Sequence, residues 1–316
     1  MEKIAVLCSD VHLSHTPPLA RSRESDWYEA MSRPLLELRD LARDDRCLPV
    51  LCGGDLFDRW SCPPRLITFA TKRLPSNFYS VMGQHDMPYH SWEQRESSAF
   101  WTLVVSGTIK LSSGWRGDGK MAWRGFQWGE EIVPMDREPD PVVTICIAHQ
   151  YVWMGIDGRA ANPVLDRRDN HVRVLTGKLA GYDVALFGDN HRGFLGRMMR
   201  KRPYVFNAGT LLRRHADERD YAPMVGVLFE DGSVEPYHLD TTQDVFDSSE
   251  TVREAERVML NLDSFLDELQ KLGETGLDFR RAVEAAMDRE QVSRAVRRVI
   301  LEAMEKSDGD EKKKSR

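Results

Sequence analysis

Residues 4–12 read Ile4-Ala5-Val6-Leu7-Cys8-Ser9-Asp10-Val11-His12. Five apolar residues closing on a polar cluster with an acid and an imidazole predict a buried strand that delivers Asp10 and His12 at its end. Continuous apolarity, rather than alternation, places that strand in a sheet covered on both faces. The pattern recurs downstream: residues 48–52 run into Gly53-Gly54-Asp55, residues 78–82 into Gly83-Gln84-His85-Asp86, residues 142–147 into His149, and residues 184–187 into Gly188-Asp189-Asn190-His191. A helical apolar spacing over residues 27–41, between the first two runs, supplies a covering layer. The order predicts a layered α/β (α+β) fold. Residues 204–206, before Asn207-Ala208-Gly209-Thr210, read as a further strand, and residues 224–229, before Asp231-Gly232, as one arm of a hairpin.

The 316 residues are 41% hydrophobic, 30% charged and 9% aromatic, an ordinary globular composition that excludes disorder as the main state. No run approaches the ~18 uncharged apolar residues of a membrane span, and residues 1–9 lack a basic segment followed by a long apolar stretch. A cytoplasmic protein is expected, neither membrane-spanning nor exported by a signal peptide. The balance of 44 basic against 50 acidic residues, net −6, promises no polyanion binding from the whole molecule but leaves room for a local basic patch. Cys8, Cys47, Cys52, Cys62 and Cys146 form no CxxC pair. Cys8, Cys52 and Cys146 lie inside apolar runs as small hydrophobes, which argues against thiolate-bound zinc and fits a reducing compartment.

Beyond Thr242 the composition shifts. Val252, Ala255, Met259, Leu262, Phe265, Leu266 and Leu269 recur at helical spacing, and Phe279, Val283, Met287, Val292, Val296, Val299 and Ala303 form a second unit after Gly273 and Gly276. The expected organisation is therefore a compact domain over residues 1–245, a helical C-terminal region over 246–306 and a polar tail over 307–316. The apolar stripe is open to three uses: packing on its own core, self-dimerisation or binding a partner.

A single DxH or GD after a strand is ordinarily a turn or a cap. Five strand ends in order, holding His12, His85, His149 and His191 of the nine histidines, imply that residues distant in sequence converge at the carboxyl edge of the sheets. Carboxylate, imidazole and amide donors without thiolate suit Mn, Fe, Zn or Mg in a two-metal hydrolytic centre.

These motifs resemble those of the calcineurin-like metallophosphoesterases, whose pattern is DxH, GD, GNH(D/E), H and GHxH. The resemblance covers about residues 1–245, and the Ser9-Asp10-Val11-His12-Leu13 and Gly53-Gly54-Asp55-Leu56-Phe57-Asp58 stretches look most like SbcD-type DNA repair nucleases and phage-encoded members. It implies a double β-sheet sandwich flanked by helices, with two divalent metal ions at one end. Asp10, His12 and His191 would hold the first metal, Asp55 would bridge, and Gln84, His149 and Asp189 would complete the second. Gln84 stands where the family has asparagine, and Asp189 where it has the first histidine of the last motif. These changes make the second site harder, so manganese is expected first, with magnesium, iron or zinc also suited. Asp189 could instead stand behind the ligands. By the family's logic His85 protonates the leaving oxygen, and Asp86 beside it would orient the imidazole.

Two features bear on substrate. Arg192, Arg197, Arg200, Lys201, Arg202, Arg213 and Arg214 follow the last motif with no acid among residues 190–216, either a phosphate-backbone site, to which Arg21 and Arg23 might add, or a solvated basic loop. Tyr89, Trp92, Phe100 and Trp101 follow the third motif, either to stack on bases or to pack a helix. The leading expectation is a DNA exo- or endonuclease. A small-nucleotide or phosphoprotein phosphoesterase and a non-catalytic DNA- or partner-binding module are the alternatives. In SbcD-type nucleases a region after the core contributes to binding an SMC-like ATPase, and the helical C-terminal region invites the same expectation here.

Overall fold

The computed structural model describes residues 1–43, 47–136, 143–156, 158–159, 165–198, 203–247, 249 and 252. The chain divides into two units, Met1–Phe246 and Asp247–Arg316. The helical region and polar tail expected past Val252 lie outside the described residues, as do Arg200, Lys201 and Arg202.

Six strands form the first sheet: β1 (Lys3–Cys8), β2 (Val50–Cys52), β3 (Phe78–Ser80), β4 (Lys110–Leu111), β11 (Met224–Phe229) and β12 (Val234–His238), in the order β12-β11-β1-β2-β3-β4. The second holds β5 (Gly114–Gly117), β6 (Met121–Phe126), β7 (Val143–His149), β8 (Val184–Gly188), β9 (Phe194–Arg197) and β10 (Tyr204–Asn207), in the order β5-β6-β7-β8-β10-β9. β1 to β4 run parallel, as do β6, β7, β8 and β10, while β11, β12, β5 and β9 pair antiparallel at the flanks. The expected double-sheet sandwich is thus present. β11 and β12 are the two arms of the hairpin expected at Asp231-Gly232.

Alternate residues of each central strand enter different layers. Ala5 and Leu7 of β1 pack with Ile145, Ile147, Leu186 and Phe206 between the sheets. Val6 and Cys8 face outward onto α1 (Trp27–Leu41), α2 (Pro64–Arg73) and α3 (Ala99–Val105), through Met31, Leu35, Leu66, Ala70 and Phe100. The opposite face of the second sheet, with Cys146, Ala185 and Phe187, is covered by Val172, Leu175, Leu179 and Tyr182. Both faces of both sheets are therefore buried, which is why the strands read as unbroken apolar runs. All five cysteines are free, and Cys8, Cys52 and Cys146 are buried.

α1 keeps the bounds its periodicity predicts. The Asp26 carboxylate caps it by accepting from the amides of Tyr28 and Glu29 at 2.9 and 3.2 Å, and the helix absorbs Pro34 within its length. Phe100 is fully buried, and Trp92 and Trp101 pack on the same core with Arg95 between their rings, 4.5 and 4.9 Å from the centroids. Of the aromatic residues considered for stacking, these three serve packing. Among the described residues no helix is long and apolar enough to cross a membrane.

Candidate metal centre

The parallel strands β1, β2, β3, β7 and β8 lead into the residues of the centre, and β1, β2 and β8 end in sharp bends. Asp10, His12, Asp55 and Asp189 all have left-handed backbone, at φ 48°, 48°, 51° and 79°. L-residues adopt that region at a cost of roughly 1–2 kcal/mol each, and such strain collects where a chain must aim a side chain. The bends are pinned by main-chain bonds from Asp10 N to Gly54 O and from His12 N to Asp55 O, both 3.0 Å. Gly83 is required by close approach, since a Cβ there would lie 2.0 Å from Asp55 Oδ1. The last loop hangs on Asn190, whose amide donates to Val152 O and Gly158 O at 2.8 Å, and on Asn207, which donates to Asn190 O at 2.6 Å.

Three overlapping groups of side chains stand close enough to share a cation: Asp10, His12 and His191; His12, Asp55 and His85; and Asp10, Asp55 and His149. His12 Nε2 faces His191 Nε2 at 3.0 Å and lies 3.7 Å from Asp55 Oδ2. His149 Nε2 is 3.3 Å from the same oxygen, so Asp55 Oδ2 lies against both His12 and His149. His149 Nδ1 meets the carbonyl of Gly53 at 2.6 Å; a proton donated there leaves Nε2 with its lone pair facing the cluster. His191 Nδ1 faces Glu218 at 3.9 Å and His12 Nδ1 faces Asp58 at 4.0 Å, carboxylates behind the rings.

Asp55 Oδ2, His149 Nε2 and Gln84 Oε1 are buried and have no hydrogen-bond partner. An unpaired buried polar atom costs about 1–3 kcal/mol. Two of the three, Asp55 Oδ2 and His149 Nε2, lie 3.3 Å apart inside one ligand group, and with Gln84 Oε1 they offer electron pairs of the kind that fit divalent cations. The donors differ in charge state: burial opposes protonation of His149, but Asp55 outweighs it and raises that ring's pKa well above the ordinary imidazole value. Burial, with Asp55 nearby and His149 partly offsetting it, pushes the Asp10 carboxyl up to about 8. Burial also opposes ionisation of Asp55, but His149 and His85 beside it hold its carboxyl below the usual range. Burial, and then the Arg214 guanidinium, hold His12 and His191 well below the ordinary imidazole value, so both are neutral donors.

Gln84 and Asp189, the two departures from the family pattern, are bonded to each other. Gln84 Nε2 donates to Asp189 Oδ1 at 2.8 Å, and Gln84 Oε1 is the atom left without a partner. Asp189 enters none of the three ligand groups; its main-chain N–H donates to Asp10 Oδ1 and Oδ2 at 3.1 and 3.2 Å. Its carboxylate holds the Gln84 amide by its nitrogen, which leaves the amide oxygen free.

His85 stands at the rim, its side chain 43% exposed and Nε2 3.9 Å from Asp55 Oδ2. Its Nδ1 lies 2.9 Å from the carbonyl of Asp58, so Asp58, which sequence reasoning did not select, orients the ring. Burial works against protonation, but Asp55 and Asp58 outweigh it and raise the ring's pKa. The expectation that Asp86 orients His85 is corrected. Both Asp86 oxygens are occupied by the amides of Leu56, Phe57 and Gly83 at 3.0–3.2 Å, stapling the loop after β3 to the loop after β2. Burial and neighbouring Asp55 push that carboxyl up to about 7.

The four described arginines of the basic stretch have different surroundings. Arg213 is buried, donating to Asp244 Oδ2 and Thr241 O at 2.9 Å; Arg21 is buried and donates to Asp244 Oδ1 at 2.8 Å. Neither can contact a polyanion. Arg214 is also buried but pairs with Asp58 beside the histidines. Arg192 faces Asp217 at 3.5 Å, and Arg197 lies over Tyr204, 4.5 Å from the ring centroid.

The family model for calcineurin-like phosphoesterases matches residues 5–193. The chain belongs to the calcineurin-like phosphoesterase family. That family binds two divalent metals, and the ligand groups above supply the donors for them. Among solved structures, a metallophosphoesterase from Sphaerobacter thermophilus is similar at 13% identity, covering 89% of this chain and 98% of that one, with a TM-score of 0.38. The sulfate thiohydrolase SoxB of Thermus thermophilus, in complex with glycerol, is similar at 11% identity, covering 83% of this chain and 61% of that one, with a TM-score of 0.46. No curated protein matches the sequence.

Proposed function

We propose that this phosphoesterase is a phosphodiesterase that cleaves DNA, of the SbcD-like kind, with manganese as the working metal. The observation that carries the hydrolytic reading is that Asp55 Oδ2, His149 Nε2 and Gln84 Oε1 are unpartnered buried donors. Asp10, His12, Asp55 and His191 would hold one cation, and Asp55, Gln84 and His149 the other. When bound, two such ions supply Lewis acidity, acidifying a water and neutralising phosphate oxygens.

The chain's own residues do the rest. His85 reaches the rim with its Nδ1 proton committed to Asp58 O, leaving Nε2–H to protonate the departing oxygen. Asp58 keeps that ring in place, and the Arg214 guanidinium paired to it keeps positive charge beside the site. Asp189 holds Gln84, and Glu218 backs His191.

A second reading, a small-nucleotide phosphoesterase, is favoured by the burial of Arg213 and Arg21, which removes two charges from the expected backbone-binding patch. The test is hydrolysis of linear double-stranded DNA, single-stranded DNA and bis-p-nitrophenyl phosphate with Mn or Mg, comparing intact protein with His85→Ala and Asp55→Asn. Cleavage of DNA, lost in both variants, supports the nuclease. Cleavage of the small ester alone removes DNA as substrate and leaves the second reading. Inactivity on all three in either metal points to a binding module.

A further inference from the structure

The turn that carries Gln84 and His85 leads into a second one, Pro88–His90, in which Tyr89 and His90 both have left-handed backbone, at φ 52° and 55°. The conformation is held by bonds from His90 N to Met87 O at 3.2 Å and from Ser91 N to Pro88 O at 3.0 Å, and the His90 ring meets Trp128 edge-on, centroids 5.4 Å apart. The outcome is a tyrosine 68% exposed on a strained, fixed turn. Its one aromatic contact among the described residues is Trp60, with centroids 5.9 Å apart and planes tilted by 42°. Trp60 is itself half-buried, its carbonyl accepting from Ala99 N at 2.8 Å.

Trp60 lies two residues past Asp58, and Tyr89 four past His85. The two loops are therefore tied twice: inside, by the His85 ring on the Asp58 carbonyl, and outside, by the Tyr89 ring against Trp60. The neighbouring aromatics Trp92, Phe100 and Trp101 are absorbed by the helical layer. Tyr89 is not. A strained backbone that spends its strain on holding a large ring in water marks a functional contact rather than packing.

We propose that Tyr89 and Trp60 form a stacking site for a nucleobase, on the side of the metal centre where His85 stands. The proposal rests on the phosphoesterase reading of that centre and deepens it by naming the group recognised next to the phosphate. Aromatic faces accept any base, because every base has a π-face and stacking needs no hydrogen-bond code. The base belongs to the nucleotide whose oxygen His85 protonates, and recognition through a planar ring is common to a DNA strand and a free nucleotide.

The experiment is calorimetric binding of thymidine 5′-monophosphate and of 2-deoxyribose 5-phosphate, which lacks the base, to the full chain with Mn present. Intact protein and Tyr89→Phe should bind the nucleotide about tenfold more tightly than the sugar phosphate, within the range that one stacked base provides. In Tyr89→Ala the ratio should fall close to one, with sugar phosphate affinity and melting temperature unchanged. Trp60→Phe should keep most of the preference. A ratio near one in the intact protein, or a preference that survives Tyr89→Ala, overturns the proposal. If the preference holds while no DNA is cleaved, stacking stands and the nuclease reading fails; if DNA is cleaved while the preference is absent, the reverse is true.

Discussion

Two clusters of charge lie out of water in this protein, and they are completed differently. Beside α1, Arg21, Arg33 and Arg213 surround Asp244: its Oδ1 accepts from Arg21 and Arg33 at 2.8 and 3.1 Å, and its Oδ2 from Arg213 at 2.9 Å. Glu24 joins through Oε1, which accepts from Arg21, from Arg33 at 3.2 Å and from the amide of Val245 at 2.9 Å. At the strand ends, by contrast, Asp55 Oδ2 and His149 Nε2 lie 3.3 Å apart with no other hydrogen-bond partner, and although burial opposes it Asp55 raises the pKa of the His149 ring. Buried charge survives only when paired. The first cluster carries its cations on its own side chains and fastens residues 241–246 to the core; the second is complete only with cations from outside. Burial alone therefore does not mark a functional site. Unanswered lone pairs brought together on ligand-type side chains, as on Asp55 and His149, do.

Removing the carboxylate that lies against both His12 and His149 should have the largest effect: Asp55→Asn should reduce phosphodiester hydrolysis to the uncatalysed background, read as initial rates with saturating Mn. His85→Ala should lower kcat by about 10²–10⁴-fold, the usual contribution of a positioned general acid, while bound Mn measured by atomic emission stays unchanged. Loss of metal in that variant would break the distinction between rim and ligand cluster. In the self-paired cluster, Asp244→Ala removes the carboxylate that three arginines share and should cost about 3 kcal/mol in urea unfolding, yet leave Mn affinity intact. Metal should act in the opposite sense: Mn at about 100 times its Kd should stabilise the intact chain by about 2.7 kcal/mol, an increment retained by Asp244→Ala and lost from Asp55→Asn. The smallest effect tests the coupling of the two family departures. Asp189→Ala, by releasing Gln84, should weaken Mn binding by about 10–100-fold, the usual cost of losing a residue behind a ligand.

What could be read in advance follows from what each residue's neighbours are. β1, β2, β3, β7 and β8 were legible because both of their faces are buried, so apolarity runs unbroken to the point where Asp10, Asp55, Gln84, His149 and Asp189 follow. β5, Gly114–Gly117, was not: it lies at a sheet edge, and its residues are exposed or half-exposed. α2 begins at a Pro-Pro pair that reads as a loop, although proline suits the first helical turn. At the centre, residues at strand ends could be picked out because position along the chain corresponds to position in the sheet. Asp58 and Glu218 could not, since they act from behind His85 and His191 and no spacing relates them to those rings, and Arg214 was picked out only for the basic stretch and not as the partner of Asp58. Asp86 misled for the converse reason: adjacency to His85 in sequence turned its carboxylate toward the amides of Leu56, Phe57 and Gly83 instead. Within the basic stretch, Arg213 misled similarly, because it sits one residue from Arg214 but belongs to the Asp244 cluster.

The most direct test is a count of manganese per chain by equilibrium dialysis, on intact protein, Asp55→Asn and Asp244→Ala. Two ions bound by the intact chain and by Asp244→Ala, with the count falling in Asp55→Asn, is the result these structures of charge predict. No manganese bound by the intact chain, or two still bound by Asp55→Asn, would contradict it.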